Sequence, residues 1–350
     1  MTNRDLIVIG GSAGALEPLT DILQGLGSTF GGAVFVVVHT PADSNSALPA
    51  ILARSTVLPV AYAVQGEAIV RGRVYVAPPD HHLLVQSGTI TVTQGPRENG
   101  FRPAIDPLFR SAAKIYGDRV VGVILSGAMD DGTFGLGAIK TAGGVAIVQH
   151  PYEATTPSMP LSAIQSVEVD HIVRAREISQ ILAEASTNGD SAEVLPFPPQ
   201  PEQPTLQESR DIELVGISPD RLAAREGGPS YYTCPECGGT LWELQEGGDF
   251  RFRCHTGHGF TATTLLAEQN GRMEHALWSA IRVLQERAAL HLQLSRRFEQ
   301  RGMVTAATRY SERANHEREQ ADLLRDFFST DMTPADLPLP NGVLATDVNE

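Results

Sequence analysis

The chain has 350 residues, 42% hydrophobic and 19% charged, a balance that buries a core of ordinary size and excludes wholesale disorder. Lys and Arg total 27 against 41 Asp and Glu, a formal charge of −14, which argues against a non-specific nucleic-acid binder, because little would displace phosphate counterions, and leaves open an acidic surface for a basic partner. The length suits about two domains, and most of the acid excess lies beyond residue 185.

From the N-terminus, Leu6–Ile9 predicts a buried strand that ends at once in glycines, without the apolar core and cleavage site of a signal peptide. Ala15–Gln24 predicts a helix, Ala33–Val38 a second fully apolar strand and Ser46–Ala53 a short helix. Val74–Val76, Leu83–Val85 and Ile90–Thr93 predict small strands, the last two joined by a Ser87-Gly88 turn. A helix at Asp106–Tyr116, a strand at Val120–Leu125, a helix at Phe134–Thr141 and a strand at Val145–Val148 follow. Ser162–Ser166 predicts a helical turn, His171–Val173 a strand and Ala175–Ala185 a helix. Strands apolar on both faces, alternating with helices, predict an α/β fold with a doubly wound, mostly parallel sheet.

Thr187–Arg210 contains the prolines of a linker, where neither helix nor central strand survives. A small cysteine-bearing unit follows, with Leu241–Phe252 reading as a hairpin around Glu246-Gly247-Gly248-Asp249. Ala262–Gln300 and Val304–Phe328 predict two long helices separated by Arg301-Gly302. Met273, Leu277, Ile281, Leu284, Ala288 and Leu292 lie near one stripe, as do Ala307, Tyr310, Ala314, Ala321 and Leu324, so an antiparallel helical hairpin is expected. The expected organisation is a catalytic domain over 1–186, a proline-rich linker over 187–228, a zinc-ribbon-like unit over 229–260, a helical hairpin over 261–330 and an acidic tail over 331–350. No apolar run reaches 18 residues, so no membrane insertion is expected. Three cysteines suit no disulfide framework, and the cytoplasm is the expected compartment.

The chemistry begins at Gly10-Gly11-Ser12-Ala13-Gly14, where a strand ends in glycines, presents one hydroxyl and leads into a helix. Three readings compete for Ser12: helix N-cap, nucleophile, or part of a phosphate loop. The last fits badly, because neither Gly-x-Gly-x-x-Gly nor Gly-Lys-Ser/Thr is present. His39 follows the strand Val36-Val37-Val38, and Asp130-Asp131 follow the strand at Val123-Ile124-Leu125. Ser, His and Asp at three strand ends of one parallel sheet share a crevice, as a serine hydrolase requires. Each also has a bland reading: a structural histidine, and aspartates that form turns.

Gly-Gly-Ser-Ala-Gly-Ala-Leu-Glu-Pro-Leu, the stretch Val36–Leu52, Val74–Val85, Arg102–Ala113, Gly122–Leu136 and Gln149–Ile164, in that order, resemble the catalytic domain of the CheB chemotaxis protein-glutamate methylesterases over residues 3–185. The resemblance implies hydrolysis of glutamate γ-methyl esters on methyl-accepting receptors, with methanol released, and no cofactor for catalysis. It also leaves two alternatives: glutamine deamidation by the same triad, or a weakly catalytic scaffold acting through the C-terminal parts. The family's serine, histidine and aspartate fall on Ser12, His39 and Asp131. Ala128 stands where the family has a methionine whose main-chain N–H helps form the oxyanion hole, and Met129 stands in place of a glycine. Ala13 follows the serine where some members carry a hydroxyl residue. Ala13, Ala128 and Arg102 are the candidate oxyanion and substrate-binding positions, Arg102 as an attractor of acidic substrate. A methylated receptor or signalling protein is the implied substrate, with a chemotaxis-type methyltransferase or kinase as partner. The receiver domain of familiar members is not expected, so control would come from a partner, from the C-terminal unit, or not at all.

Cys234-x2-Cys237, then Cys254-x3-His258, bring three thiolates and one imidazole to a closed tetrahedral site, so a structural zinc is expected. His255 competes with His258 as fourth ligand; the family's extended members resemble this segment with histidine at 258, which selects it. The linker predicts that residues 1–190 keep esterase activity without the ribbon.

Overall fold

The computed structural model describes residues 4–42, 47–186, 227–246 and 249–331. The expected linker over 187–226, the tip of the ribbon hairpin at 247–248 and the tail from 332 lie outside them. The chain divides into two compact units, Met1–Glu268 and Gln269–Glu350.

In the first unit, runs of Val, Ile and Leu form β1 (Leu6–Gly11), β2 (Ala33–Val38), β3 (Val60–Tyr62), β4 (Val74–Val76), β7 (Val120–Ile124), β8 (Val145–Gln149) and β9 (His171–Val173). They make one sheet in the order β3-β4-β2-β1-β7-β8-β9, with every pairing parallel. Side chains alternate across it. Leu6, Val8, Phe35 and Val37 pack with α3 (Ile105–Tyr116), α4 (Thr133–Thr141) and α5 (Ser158–Ser166) through Phe109, Leu136 and Met159. Ile7, Ile9, Val34 and Val36 pack with α1 (Leu16–Gly25), α2 (Leu48–Leu52) and α6 (Ala175–Ala185) through Leu19, Leu23, Leu52 and Leu182. This double covering is why the central strands read as unbroken apolar runs. A separate antiparallel pair, β5 (His82–Val85) and β6 (Ile90–Thr93), matches the expected hairpin. The edge strand β3 was not expected; its three residues are only half-buried and follow Pro59.

Strands β10 (Gly227–Thr233), β11 (Thr240–Glu246), β12 (Asp249–Cys254) and β13 (Gly259–Thr261) form an antiparallel sheet in chain order. The linker was expected to run through Gly228, but Gly227-Gly228-Pro229 is strand. Proline is tolerated because β10 is an edge, with an irregularity between Pro229 and Thr233. Leu241, Phe252, Phe260 and Leu265 make a small core with Cys234 and Cys254.

The ribbon does not hang free on its linker. It belongs to the first compact unit, and its main chain bonds the catalytic part: Asn99 N–H donates to Gly259 O at 2.8 Å and Gly259 N–H to Arg97 O at 3.3 Å. A proline-rich sequence predicts a loose connection but says nothing about docking faces, so this packing argues against the expected independence of residues 1–190.

The second unit holds most of α7 (Ala262–Gln300) and all of α8 (Val304–Asp331), joined through Gly302 at φ +72°. Ile281 and Ala288, with Ala307, Ala314 and Ala321, are buried at seven-residue spacing, the seam of an antiparallel coiled-coil-like pair. Phe298 stacks on Tyr310, and Glu317 joins Arg287 and His291 across the seam. Met273, expected on this stripe, is exposed. Among the described residues no helix is long and apolar enough to cross a membrane.

Candidate active site

Strand β1 has β2 on one side and β7 on the other, so the chain leaves its C-terminal end at a switch point where a crevice opens. Ser12 follows β1, His39 follows β2 and Asp131 follows β7 by a short loop. Gly11 is the register partner of Val38, and His39 N–H donates to Gly11 O at 3.2 Å. Ser12 and His39 are therefore the next pair along, about one strand spacing of 4.8 Å apart. Close approach explains Gly127: a Cβ there would lie 3.0 Å from Ser12 Cβ and 2.6 Å from Met159 Cε.

His39 Nε2 and Asp131 Oδ2 are 2.7 Å apart. Asp131 is fully buried at the N-terminus of α3. Its Oδ2 also accepts the Ile105 N–H at 2.7 Å, and its Oδ1 accepts Asn99 Nδ2 at 2.8 Å and the Asp106 N–H at 3.3 Å. Burial alone would raise its pKa; the bond to His39, the Ile105 N–H and Asn99 outweigh it and hold the carboxyl below its ordinary value. Asp131 is thus an anion with fixed orientation. The His39 ring stacks on Phe101 with centroids 3.7 Å apart and planes 13° from parallel, and its Nδ1 is buried without a hydrogen-bond partner. One ring nitrogen is held and the other is left for a proton.

The amides around Ser12 divide into used and unused. Ser12 N–H donates to Ser126 O, Gly127 N–H to Thr156 O and Met129 N–H to Ser158 Oγ. Ala13 and Ala128 are both exposed, and neither N–H donates among the described residues. Both N–H groups are thus left without a main-chain acceptor, as an oxyanion donor must be. Arg102 is different. Its Nε and Nη2 donate to Asp80 Oδ1 at 2.9 and 2.7 Å, and Nη1 donates to Gly95 O at 2.8 Å. The charge assigned to attracting substrate is neutralised by Asp80, so Arg102 reads as a brace for the loop beside β6.

Met129 occupies the left-handed region at φ 62°. The family resemblance places glycine there, and a side chain in that region costs about 1–2 kcal/mol. Its neighbour Asp130 is 9% exposed, accepts Thr261 Oγ1 at 3.1 Å and does not reach His39. Burial first, then the charges of Asp106 and Asp131, push its pKa up to about 6, against the Thr261 bond and Arg251. A raised carboxyl favours the folded state only while protonated, so this contribution is fully present below about pH 4 and lost as pH rises through 6. Asp130→Asn is therefore expected to leave stability unchanged near pH 4 and to raise it by about 1–3 kcal/mol above pH 6, read from urea unfolding across pH. A gain equal at both pH values would contradict this origin.

In the ribbon, one ligand atom each from Cys234, Cys237, Cys254 and His258 lies within 4.8 Å of all the others. Cys237 Sγ to Cys254 Sγ is 3.6 Å, Cys234 Sγ to His258 Nδ1 3.6 Å and Cys254 Sγ to His258 Nδ1 3.4 Å. A tetrahedron with metal–sulfur bonds of about 2.3 Å has edges of about 3.8 Å, so the four groups fit one ion. The sulfur separation is far too long for a disulfide. His255 is exposed and faces Thr256, outside the cluster.

Sequence reasoning missed four buried residues: Asn99 and Asp106, which bond Asp131, and Arg251 and Glu98, linked to it through Asp106. One signal was available. In Phe250-Arg251-Phe252-Arg253 the arginines read as a solvated face, yet Phe250 is 53% exposed and Arg251 3%. Strand alternation identifies two faces without saying which one meets a partner.

The sequence profile of the family described as CheB methylesterase matches residues 7–182. A putative protein-glutamate methylesterase/protein-glutamine glutaminase of Leptospira interrogans is 39% identical over 187 residues, covering 53% of this chain and 97% of that protein. A protein-glutamate methylesterase/protein-glutamine glutaminase of Anaeromyxobacter dehalogenans is 35% identical over 180 residues, 51% of this chain and 53% of its own. The crystal structure of the Thermotoga maritima CheB methylesterase catalytic domain superposes with a TM-score of 0.50 at 32% identity, covering 52% of this chain and 99% of that one.

Proposed function

Because this chain belongs to the CheB methylesterase family, we propose that it is a serine hydrolase cleaving glutamate γ-methyl esters on a methylated receptor or similar signalling protein, yielding glutamate and methanol. One observation carries the reading: a buried aspartate holds His39 Nε2, and Nδ1 is left unpartnered one register step from Ser12. Ser12 Oγ attacks the ester carbonyl and His39 Nδ1 takes its proton. The Ala13 and Ala128 amides receive the oxyanion, and Asp131 stabilises the imidazolium. His39 returns the proton to the departing methoxide, leaving an acyl-serine and methanol. Water, giving a proton to His39, then attacks the acyl carbonyl; the bond to Ser12 Oγ breaks, His39 returns the proton to that oxygen, and glutamate leaves. Ser12 Oγ makes no hydrogen bond to His39 as the structure stands; such contacts tighten in the substrate complex.

The test is release of methanol from a receptor peptide methylated on glutamate. Methanol at a rate proportional to enzyme supports the reading; none, with the protein folded, sinks it. The names of the relatives favour one alternative, glutamine deamidation by the same triad, which releases ammonia instead. The reaction reverses a carboxyl methyl transfer, so a methyltransferase acting on the same glutamates is the natural counterpart, and thiols kept for metal suit the cytoplasm.

Residues 1–186 then supply the Ser12, His39 and Asp131 chemistry, 227–261 form a zinc ribbon and the two helices from Ala262 a hairpin suited to docking a signalling partner. Cys234, Cys237, Cys254 and His258 would hold a zinc ion that supplies folding energy alone, since four protein ligands leave no position for water. Purified protein is expected to contain one zinc per chain by elemental analysis, lost in Cys254→Ser together with protection of β11 and β12 amides from exchange. Metal-free protein with those amides still protected would show that the ribbon stands without it.

A further inference from the structure

Asn99 stands between the triad and the C-terminal ribbon, 1% exposed and in the left-handed region at φ 54°. Its side-chain amide is fully used. Nδ2 donates to Asp131 Oδ1 at 2.8 Å and to Asp106 Oδ2 at 3.1 Å. Oδ1 faces the Thr261 N–H at 3.3 Å, shared with Thr264 Oγ1 at 2.9 Å, and the Thr264 hydroxyl at 3.4 Å, which also has Thr261 Oγ1 at 2.9 Å and Thr261 O at 3.3 Å within reach. A flipped amide would turn its oxygen against two carboxylates and its hydrogens against the Thr261 N–H. The donors of the C-terminal segment therefore fix which way Asn99 faces. Those donors are themselves ordered, because Thr261 and Thr264 bond reciprocally, each hydroxyl accepting the other's N–H at the start of α7.

Arg251 supplies the second tie. It is register partner of Thr261, so both leave the same face of the ribbon. Arg251 Nη1 donates to Asp106 Oδ2 at 3.0 Å, Nη2 lies 3.5 Å from Glu98 Oε2, and the guanidinium packs 4.3 Å over the Phe134 ring. Two residues on, Arg253 reaches Glu98 Oε1 at 3.1 Å. Glu98 and Asp106 are fully buried, and α3 adds only Arg110. Burial would raise the Glu98 pKa, but Arg110, Arg253 and Arg251 hold it well below the usual range. Burial, and then the neighbouring charge of Asp131, push the Asp106 pKa up while Arg251 opposes them. Without the ribbon's cations, the carboxylates beside Asp131 would repel it in a dry site.

We propose that Asn99 is a positioning residue for Asp131, and that Thr264 and Arg251 of the C-terminal segment hold Asn99 and Asp106 in register, so that the ribbon is a working part of the hydrolase. This rests on the Ser12–His39–Asp131 reading. Full-length Arg251→Met, Arg251→Lys and Thr264→Val are compared with wild type by kcat and KM on a glutamate methyl ester, by thermal unfolding, and by the proton resonance of the His39–Asp131 hydrogen bond. Arg251→Met is expected to lower kcat about 10- to 100-fold with KM nearly unchanged, since misplacing a catalytic group by about 1 Å costs that much. Arg251→Lys recovers most of the loss. Thr264→Val, which removes one hydroxyl and keeps volume, shows a smaller loss of the same kind, and the resonance moves in both Met and Val variants. Wild-type kcat with an unmoved resonance in the folded variants would overturn the proposal. Should Arg251→Met fail to fold, Thr264→Val carries the comparison. The resonance also separates the two readings: if Ser12→Ala keeps turnover the triad is wrong, while a resonance that moves still reports coupling from ribbon to Asp131 and one that does not refutes it.

Discussion

Ser12→Ala is expected to lower methyl-ester hydrolysis by about 10⁶-fold, with the folded protein otherwise intact. The size follows from the role. Without the hydroxyl no acyl intermediate forms, and His39 loses the proton it is placed to take. On the proposed mechanism the residual rate would come from the Ala13 and Ala128 amides and from binding, which act on a water-attacked substrate as well. The fold survives because the serine side chain makes no hydrogen bond among the described residues, while the turn is held by main-chain bonds from Ser12 N–H to Ser126 O and from Ala15 N–H to Ser12 O. Methanol release under single-turnover conditions measures the loss. A drop of tenfold or less would mean that another group attacks the ester.

The second large effect belongs to the pair that drives the serine. His39→Ala is expected to cost about as much as Ser12→Ala, and Asp131→Asn about 10⁴-fold in kcat. The asparagine keeps the shape but lacks the charge that supports the imidazolium, and its amide favours the wrong tautomer of His39. It also sets a neutral group where the Ile105, Asp106 and Asn99 N–H groups converge on an anion. Asp130→Asn provides the contrast: the neighbouring aspartate points to Thr261 and is expected to gain stability at neutral pH with little loss of turnover. If the two aspartates exchanged these behaviours, the charge reaching His39 would have to come from Asp130.

How much of this was written in the sequence depends on the range of each interaction. The strand at Leu6–Gly11, its glycine turn and Ser12 are local: two-faced apolar patterning and a helix start identify them without any partner. The cysteine cluster is likewise local, because a turn at Cys234–Cys237 and a hairpin of fixed register bring Leu241 opposite Cys254. Strand ends of one parallel sheet share an edge by topology, so Ser12, His39 and an aspartate were legible together. Composition could not tell that Arg102 is spent on Asp80, or that a linker rich in proline leads to a docked ribbon. Those outcomes depend on which face of an alternating strand meets another surface, and alternation is symmetric between the two faces until a partner breaks it. Arg251 reads as solvated on a hairpin and is buried because Glu98 and Asp106, about 150 residues earlier, sit under it. Strand-end patterning and the cysteine spacing are local and readable along the chain, while spacing alone left His255 and His258 open as the fourth ligand; what orients Asp131 emerges only on folding, because buried charges choose partners by proximity in space and carry no periodicity along the chain.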